Sequence, residues 1–278
     1  MVAAWLACPL VLADPTAAAA QEPPGLSFQA TLDSIKLNAL PGQVVTRQFR
    51  LTLDANQSAT RFKAHVEDWW QSDDGQQSFY GDPGTLQRSC AKWVTLNPVE
   101  ATVEPAGTLV VRLSIALPRE LAPGGFWCAL TVDEIPDPRR IPPEGVGVRF
   151  AASVSAGIFV YVEPVQRLAT IRDIHIESDM TRIRLRNDGN CPLGVEGRVE
   201  WFARGASSPI ATVTLPRSTV LTEPSPDAVL TLPLPPAETL PSGAYRARVI
   251  LDFGGDHYIG AEREVTITRS IKASDPDR

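Results

Sequence analysis

The sequence contains few of the residues that most often carry catalysis or bind metal ions. Its 278 residues include three His and four Cys, with no His at metal-ligand spacing from another and no C-x-x-C pair. No Ser lies in a nucleophile elbow beside a His. Glu67 and Asp68 form a compact acidic pair, but neighbouring residues on a strand point to opposite faces and cannot flank one substrate. We therefore expect a protein that is not an enzyme and that needs no metal or other cofactor.

A basic surface is also lacking. The formal net charge is -6 at pH 7, whereas a nucleic-acid-binding surface needs an excess of Lys and Arg to displace counterions. Helices are disfavoured as well, because 25 Pro and 19 Gly leave few long stretches free of both residues. The composition argues against a nucleic-acid partner and favours an all-β protein.

No apolar run is long enough to cross a membrane as a helix. The run at residues 2–13 is broken by Pro9 and is followed by three small residues, Ala18-Ala19-Ala20. This arrangement is typical of a secretory signal, although no Lys or Arg precedes the apolar run. We therefore expect a signal peptide at residues 1–20, export across the inner membrane to the periplasm, and no transmembrane segment. Lipidation at Cys8 is an alternative, since the residues before it are similar to a lipoprotein box.

Three cysteines remain after removal of the signal. Cys128 has the same strand parity as Phe126, so we expect it to face a core, and Cys90 lies just before another predicted strand. An oxidising compartment permits a disulfide bond between Cys90 and Cys128. Two separate buried thiols are the alternative, and we prefer the bridge. Cys191 follows a turn and is predicted to be a partly buried free thiol.

Short apolar runs between frequent turn residues are typical of β-sandwiches. The pattern predicts two tandem immunoglobulin-like β-sandwich domains, the first at residues 21–164 and the second at residues 165–270, followed by a tail at residues 271–278. Near the start of the first domain the apolar positions are even up to Leu32 and odd from Ile35. Such a slip turns the apolar face around, as a bulge or a change of sheet does.

One stretch alternates for longer than an ordinary strand. From residue 145 to residue 164 the even positions are apolar, while the odd positions are at first small or polar. Strands are usually about 5–6 residues long. We therefore predict a strand at residues 146–162 that serves more than one partner or leaves part of its length open.

Short motifs in the first domain are similar to those of one known family. They are Leu32-Asp33, Pro41-Gly42, Val111-Arg112-Leu113, Glu134-Ile135-Pro136 and Ile158-Phe159-Val160-Tyr161 with Pro164. With these motifs the domain resembles the periplasmic pilus-assembly chaperones, whose immunoglobulin-like sandwich lends a strand to a pilus subunit. The resemblance implies a chaperone that binds a protein subunit with an exposed sheet edge.

The resemblance also implies which residues bind the partner. In that family the last strand of the first domain inserts alternating apolar residues into an incomplete subunit. The corresponding positions here are Val148, Phe150, Ala152 and Val154. The family also binds the subunit's terminal carboxylate with two basic residues in the interdomain cleft. One of these positions falls on Lys36, whereas the other falls on Phe159, which cannot bind a carboxylate.

The second domain resembles a fibronectin-type or adhesion-type immunoglobulin-like module. The motifs are Arg186-Asn187-Asp188-Gly189-Asn190 followed by Pro192-Leu193, and Leu240-Pro241-Ser242-Gly243-Ala244-Tyr245-Arg246. Together the two halves are similar to exported chaperone-like proteins, and more weakly to the WxL-interacting cell-wall proteins. We therefore expect an exported chaperone-like protein that binds a partner polypeptide, by strand addition at residues 146–162, in envelope or fimbrial assembly.

Aromatic residues leave a second interpretation open. Trp69, Trp70, Phe79, Tyr80 and Trp93 lie close in sequence, and exposed aromatic rings stack well on sugars. The chain would then be a non-catalytic cell-envelope binding module for glycan or peptidoglycan. In the interpretation that we prefer, one of the two adjacent Trp residues belongs to a core and the other packs under the polar loop that follows.

Overall fold

The structure is a computed structural model in which residues 28–30, 34–72, 75–80, 82–136, 151–177 and 179–269 are described. The predicted signal peptide at residues 1–20, the tail at residues 271–278 and the segment at residues 145–150 lie outside these ranges. Within the described ranges, no helix has the length and apolar character needed to cross a membrane.

The first half of the described chain consists of strands and one short 3-10 turn, Ala91–Trp93. The strands are β1 (Phe28–Ala30), β2 (Ile35–Asn38), β3 (Val44–Leu53), β4 (Thr60–Gln71), β5 (Gln77–Tyr80), β6 (Val94–Asn97), β7 (Glu100–Val103), β8 (Thr108–Ala116), β9 (Gly124–Ile135) and β10 (Ser153–Val162). One sheet has the order β1-β3-β8-β6, and the other has the order β2-β10-β9-β4-β5, with β7 also paired to β4. This order is that of an immunoglobulin-like sandwich, A-B-E-D packed on G-F-C.

The first two strands confirm the predicted change of apolar face. β1 pairs antiparallel with β3 in one sheet, and β2 pairs parallel with β10 in the other. The slip in alternation before Ile35 is therefore a change of sheet and not a bulge. The consequence is that β2 reaches β10 only along the last part of that strand.

The second half forms another sandwich. Its strands are β11 (Ala169–Glu177), β12 (Met180–Asn187), β13 (Leu193–Ala203), β14 (Ala211–Val220), β15 (Asp227–Pro233), β16 (Gly243–Asp252) and β17 (Ile259–Ile267). The sheets have the orders β11-β12-β15 and β14-β13-β16-β17. The predicted fold class, all-β with two tandem immunoglobulin-like sandwiches, is confirmed.

The core of the first sandwich is closed by a disulfide bond. Leu51, Leu113 and Leu130 are fully buried, and so are Cys90 and Cys128. The two cysteines are bonded to each other, with their Cα atoms 5.4 Å apart. The predicted disulfide bond is thus confirmed, and the alternative of two separate thiols is excluded. The bond ties the 3-10 turn before β6 to the middle of β9.

An apolar cluster joins the two sandwiches. Trp69 on β4, Trp127 on β9 and Phe159 and Tyr161 on β10 belong to the same buried cluster as the core of the second sandwich. The two indoles are fixed by hydrogen bonds: Trp127 Nε1 donates to the Trp69 carbonyl (2.9 Å), and Trp69 Nε1 donates to the Cys128 carbonyl (3.2 Å). The sheet face of the first sandwich therefore continues directly into the second domain.

Backbone contacts reinforce this joint. The Gly125 N–H donates to the Asn190 carbonyl (2.9 Å), and the Arg88 N–H donates to Glu223 Oε1 (2.5 Å). A Cβ on Gly125 would lie 2.8 Å from Cys191 Cα, so glycine permits this close approach. Cys191 is free, as predicted, and is fully buried where partial burial was expected, because it lies inside the joint.

Two details of the first sandwich differ from the sequence-based expectations. β7 (Glu100–Val103) was not predicted, because its alternation covers only four residues between Asn97-Pro98 and the turn at Pro105. β10 begins at Ser153, and the two residues before it in the described range are not in a strand. The strand predicted at residues 146–162 is therefore shorter within the described part of the chain.

The disulfide bond generates a prediction about stability. Replacing Cys90 and Cys128 together by Ala should lower the free energy of unfolding of the mature chain by about 3–4 kcal/mol, because the bridge closes a long loop in the unfolded state. Urea unfolding followed by Trp fluorescence measures this change. Wild type kept oxidised is the control, and an unchanged midpoint in the double variant would contradict the stabilising role of the bond.

Candidate functional site

Within the described part of the chain, the first part of β10 has a neighbouring strand on one side only. β9 pairs with β10 along its whole length, whereas β2 pairs only with the part from Ile158 to Tyr161. Among the described residues, no strand pairs with residues 153–157 on the β2 side. The prediction that part of the strand is open therefore agrees with this arrangement, over a shorter span. We call residues 153–157 of β10 the open edge.

The backbone of the open edge presents hydrogen-bonding groups to this unoccupied side. The Ala39 N–H donates to the Tyr161 carbonyl (3.0 Å), which places the backbone groups of Tyr161 on the β2 side. Alternate residues of a strand direct their N–H and C=O groups to the same side. Those of Ser153, Ser155 and Gly157 therefore point to the side where no described strand lies. Such a row is a template for an added strand.

The predicted inserting residues are only partly within the described chain. Val148 and Phe150 lie outside it. Ala152 is half-buried, and its N–H donates to Glu134 Oε2 (3.1 Å). Val154 is also half-buried and packs against the core of the first sandwich. Insertion of these four side chains into a partner stays a prediction.

A row of polar side chains lines the sheet face beside the open edge. Thr131 Oγ1 donates to Glu67 Oε1 (2.5 Å) and lies 2.8 Å from Ser155 Oγ. Ser153 Oγ donates to Asp133 Oδ1 (2.6 Å). These hydrogen bonds fix the side chains of the open edge on β9 and β4. An added strand would meet a polar surface on this face of the sheet.

A cleft between the sandwiches is lined by basic side chains from both. Lys36 on β2 and Arg217 on β14 line two adjoining cavities of about 280 and about 170 Å³, and Arg167, in the linker after β10, lines the larger one. Lys36 and Arg217 are exposed to solvent. The predicted placement of Lys36 in the cleft agrees with this geometry. Arg217 was missed because its position beside Lys36 depends on how the domains meet, which no local motif encodes.

The electrostatics of this cleft favour an anion. Partial desolvation of the Lys36 ammonium within the cleft lowers its pKa below the ordinary value of 10.5, and the positive charges of Arg217 and Arg167 lower the pKa further. The carboxylate of Glu196 acts in the opposite direction, more weakly. An anion bound between Lys36 and Arg217 would relieve the repulsion between them. A carboxylate has the charge and size for this position.

Phe159 occupies the second position at which the family resemblance expects a basic residue. It pairs in register with Lys36, and its ring is buried against Trp69 with the centroids 6.0 Å apart, edge to face. It therefore supplies an apolar wall beside the cleft and no charge. The second exposed cation of the cleft comes instead from Arg217, on the other sandwich.

The aromatic side chains whose burial is described, Trp69, Trp70, Phe79 and Trp93, do not form an exposed platform for sugars. Trp69 is buried in the joint, and Trp70 packs in part against the same cluster. Trp93 packs in part on the first core, with its ring centroid 5.0 Å from that of Phe126. Among these four described side chains, that of Phe79 on β5 is exposed, at 43%. The preferred interpretation, that one Trp of the adjacent pair belongs to a core, agrees with this packing.

Comparisons with known proteins give similarities to fimbrial chaperones. The class 5 fimbriae chaperone CfaA has 9% sequence identity and a TM-score of 0.46, over 87% of this chain and 100% of that chain. The Pseudomonas aeruginosa CupB2 chaperone has 14% identity and a TM-score of 0.41, over 85% of this chain and 100% of that chain. A structure of the Salmonella enterica SafA pilin in complex with the SafB chaperone has 13% identity and a TM-score of 0.45, over 86% and 98%.

These similarities do not assign the chain to a family. No protein-family model and no curated protein sequence matches it. The resemblance to pilus-assembly chaperones that the sequence motifs predict is found again among solved structures.

Proposed function

We propose that the chain is an exported, chaperone-like protein of the periplasm that binds a partner polypeptide in envelope or fimbrial assembly. The partner adds one of its strands to the open edge of β10, and its terminal carboxylate binds between Lys36 and Arg217. The observation that carries this proposal is that the open edge leads directly to a cleft lined by cations.

The direction of the added strand follows from the neighbouring strand. β2 occupies the side of β10 from Ile158 onward, so an added strand must end or turn away at that point, where Lys36 pairs with Phe159. A strand parallel to β10 brings its carboxyl end there, whereas an antiparallel strand brings its amino end. The cations attract a terminal carboxylate and repel a terminal ammonium. We therefore infer parallel addition.

The proposed compartment is supported by the cysteines. Cys90 and Cys128 are bonded, and structural disulfides persist in oxidising compartments such as the periplasm. The signal predicted at residues 1–20 leads to the same compartment. A partner met there would be an exported polypeptide with an exposed sheet edge.

The partner is identified by purifying the full chain from periplasm and determining co-purifying chains by mass spectrometry. Replacing Ser155 by Pro should then weaken binding of that chain by at least about tenfold, since proline removes the outward N–H and adds bulk at the open edge. The pairing of β10 with β9 should remain, because the Ser155 N–H points away from β9. Binding is measured by calorimetry.

The matched control is Ser155→Ala, which removes the same hydroxyl but keeps the N–H. This variant should bind within about twofold of wild type, since the Ser155 hydroxyl bonds to Thr131 of its own sheet and the loss of one neutral hydrogen bond changes binding little. Thermal unfolding of both variants checks that the fold is kept. Equal binding by the Pro variant and wild type would exclude strand addition at residues 153–157.

The carboxylate is tested separately, with the partner's last residues made as a peptide with a free or an amidated carboxyl end. Amidation should weaken binding of the peptide by about tenfold. The Lys36→Met substitution should weaken binding of the peptide with a free carboxyl end but hardly change binding of the amidated peptide. The affinity for the peptide with a free carboxyl end should be highest at neutral pH, where Lys36 is protonated. It should fall as the pH rises through the lowered pKa of Lys36, before the ordinary value of 10.5 is reached.

Arg204→Met is the control for the carboxylate test, because Arg204 is an exposed cation outside the cleft. This substitution should leave the affinities for both peptides unchanged. If the free and amidated peptides bind wild type equally, the cleft does not bind the carboxylate.

A further inference from the structure

A recess beside the cleft is not accounted for by strand addition or by carboxylate binding. It has a volume of about 180 Å³ and lies on the sheet face between β5, β10 and the second sandwich. Its lining is Ser34, Trp69, Gln77, Phe79, Ala129, Ser155, Gly157, Phe159 and Thr219. We call it the Phe159 recess.

The floor and one wall of the Phe159 recess are apolar. Trp69, Ala129 and Phe159 are buried, and the ring of Phe79 stands exposed at the rim. A Cβ on Gly157 would lie 2.8 Å from Phe159 Cε2, so glycine lets the Phe159 ring lie close over the strand. The ring would be displaced by any larger residue at position 157. The shape of the recess therefore depends on Gly157 and Phe159 together.

The remaining lining is polar but uncharged. Ser34, Gln77, Ser155 and Thr219 supply hydroxyl and amide groups, and no ionisable acid or base lines the recess. A charged group placed in the recess would lose water without gaining an opposite charge. An uncharged, largely apolar group would gain contact with the aromatic rings.

The recess and the carboxylate cleft are continuous. Ser34, Phe159 and Thr219 line both the Phe159 recess and the smaller cleft cavity, which also contains Lys36 and Arg217. The Phe159 recess, at about 180 Å³, is large enough for one large side chain. A polypeptide whose carboxylate lies at Lys36 has its last side chains next to this opening.

We propose that the Phe159 recess receives one large apolar side chain from the last residues of the bound polypeptide, and so selects partners by their carboxyl-terminal sequence. The inference rests on the proposed function, since the carboxylate between Lys36 and Arg217 sets the distance from the chain end to the recess. The occupant is a side chain of Leu, Phe or similar size without charge. A charged side chain at this position is rejected.

The experiment uses the mature protein and short synthetic peptides with a free carboxyl end. The peptides differ at one of the last three positions, which carries Ala, Phe or Lys in turn, and binding is measured by calorimetry. At one of these positions Phe should bind about tenfold more tightly than Ala, and Lys more weakly than Ala. The variant Phe79→Ala should remove most of the gain from Phe.

Phe79 is exposed and does not line the cleft, so its replacement leaves carboxylate binding and folding intact. The matched control is Val99→Ala, an exposed apolar truncation outside the recess, which should keep the full preference for Phe. If the Phe79→Ala variant prefers Phe peptides as strongly as wild type does, the preference does not come from the recess and the proposal is overturned.

Two further outcomes separate this inference from the proposed function. If peptides with Ala, Phe and Lys bind equally at all three positions while amidation still weakens binding, the recess proposal is overturned and carboxylate binding stands. If no peptide binds at all, the recess proposal falls together with the proposed function.

Discussion

The parallel pairing of β2 with the end of β10 is the contact on which the candidate site depends. Because β2 covers only Ile158–Tyr161, the earlier residues of β10 have no partner on that side among the residues that the structure describes. β2 also places Lys36 beside Phe159, where the open edge ends. One pairing thus sets the length of the open edge and places Lys36 at its end, and we propose that a partner strand is added along this edge.

The apolar joint makes the second sandwich part of the same site. Trp69, Trp127 and Phe159 are buried together with the second core, and Gly125 allows the two backbones to approach closely. Arg217 reaches the cleft from β14 only because the sandwiches meet in this way. A buried aromatic residue in place of a cation on β10 is compatible with an anion site, because the opposite domain contributes the charge.

Much of the fold could be predicted from alternation alone. The slip in alternation before Ile35 predicted a bulge or a change of sheet, and the structure has the change of sheet. The parity of Cys128 predicted its burial, whereas its bond to Cys90 was expected from the oxidising compartment. Less of the site could be predicted. Lys36 came from a family resemblance, while Arg217 and the Phe159 recess depend on contacts between domains, which local periodicity does not contain. β7 was missed because an alternation over only four residues is too short to distinguish a strand from a loop.

The central claim is tested most directly by amide hydrogen exchange, resolved by residue, in the free protein and with its co-purified partner bound. The N–H groups of Ser153, Ser155 and Gly157 should exchange quickly in the free protein and become protected in the complex. Those of Val154 and Ala156 should be protected in both states, because they point to β9. A saturated complex in which the outward N–H groups exchange as fast as in the free protein would contradict strand addition at β10.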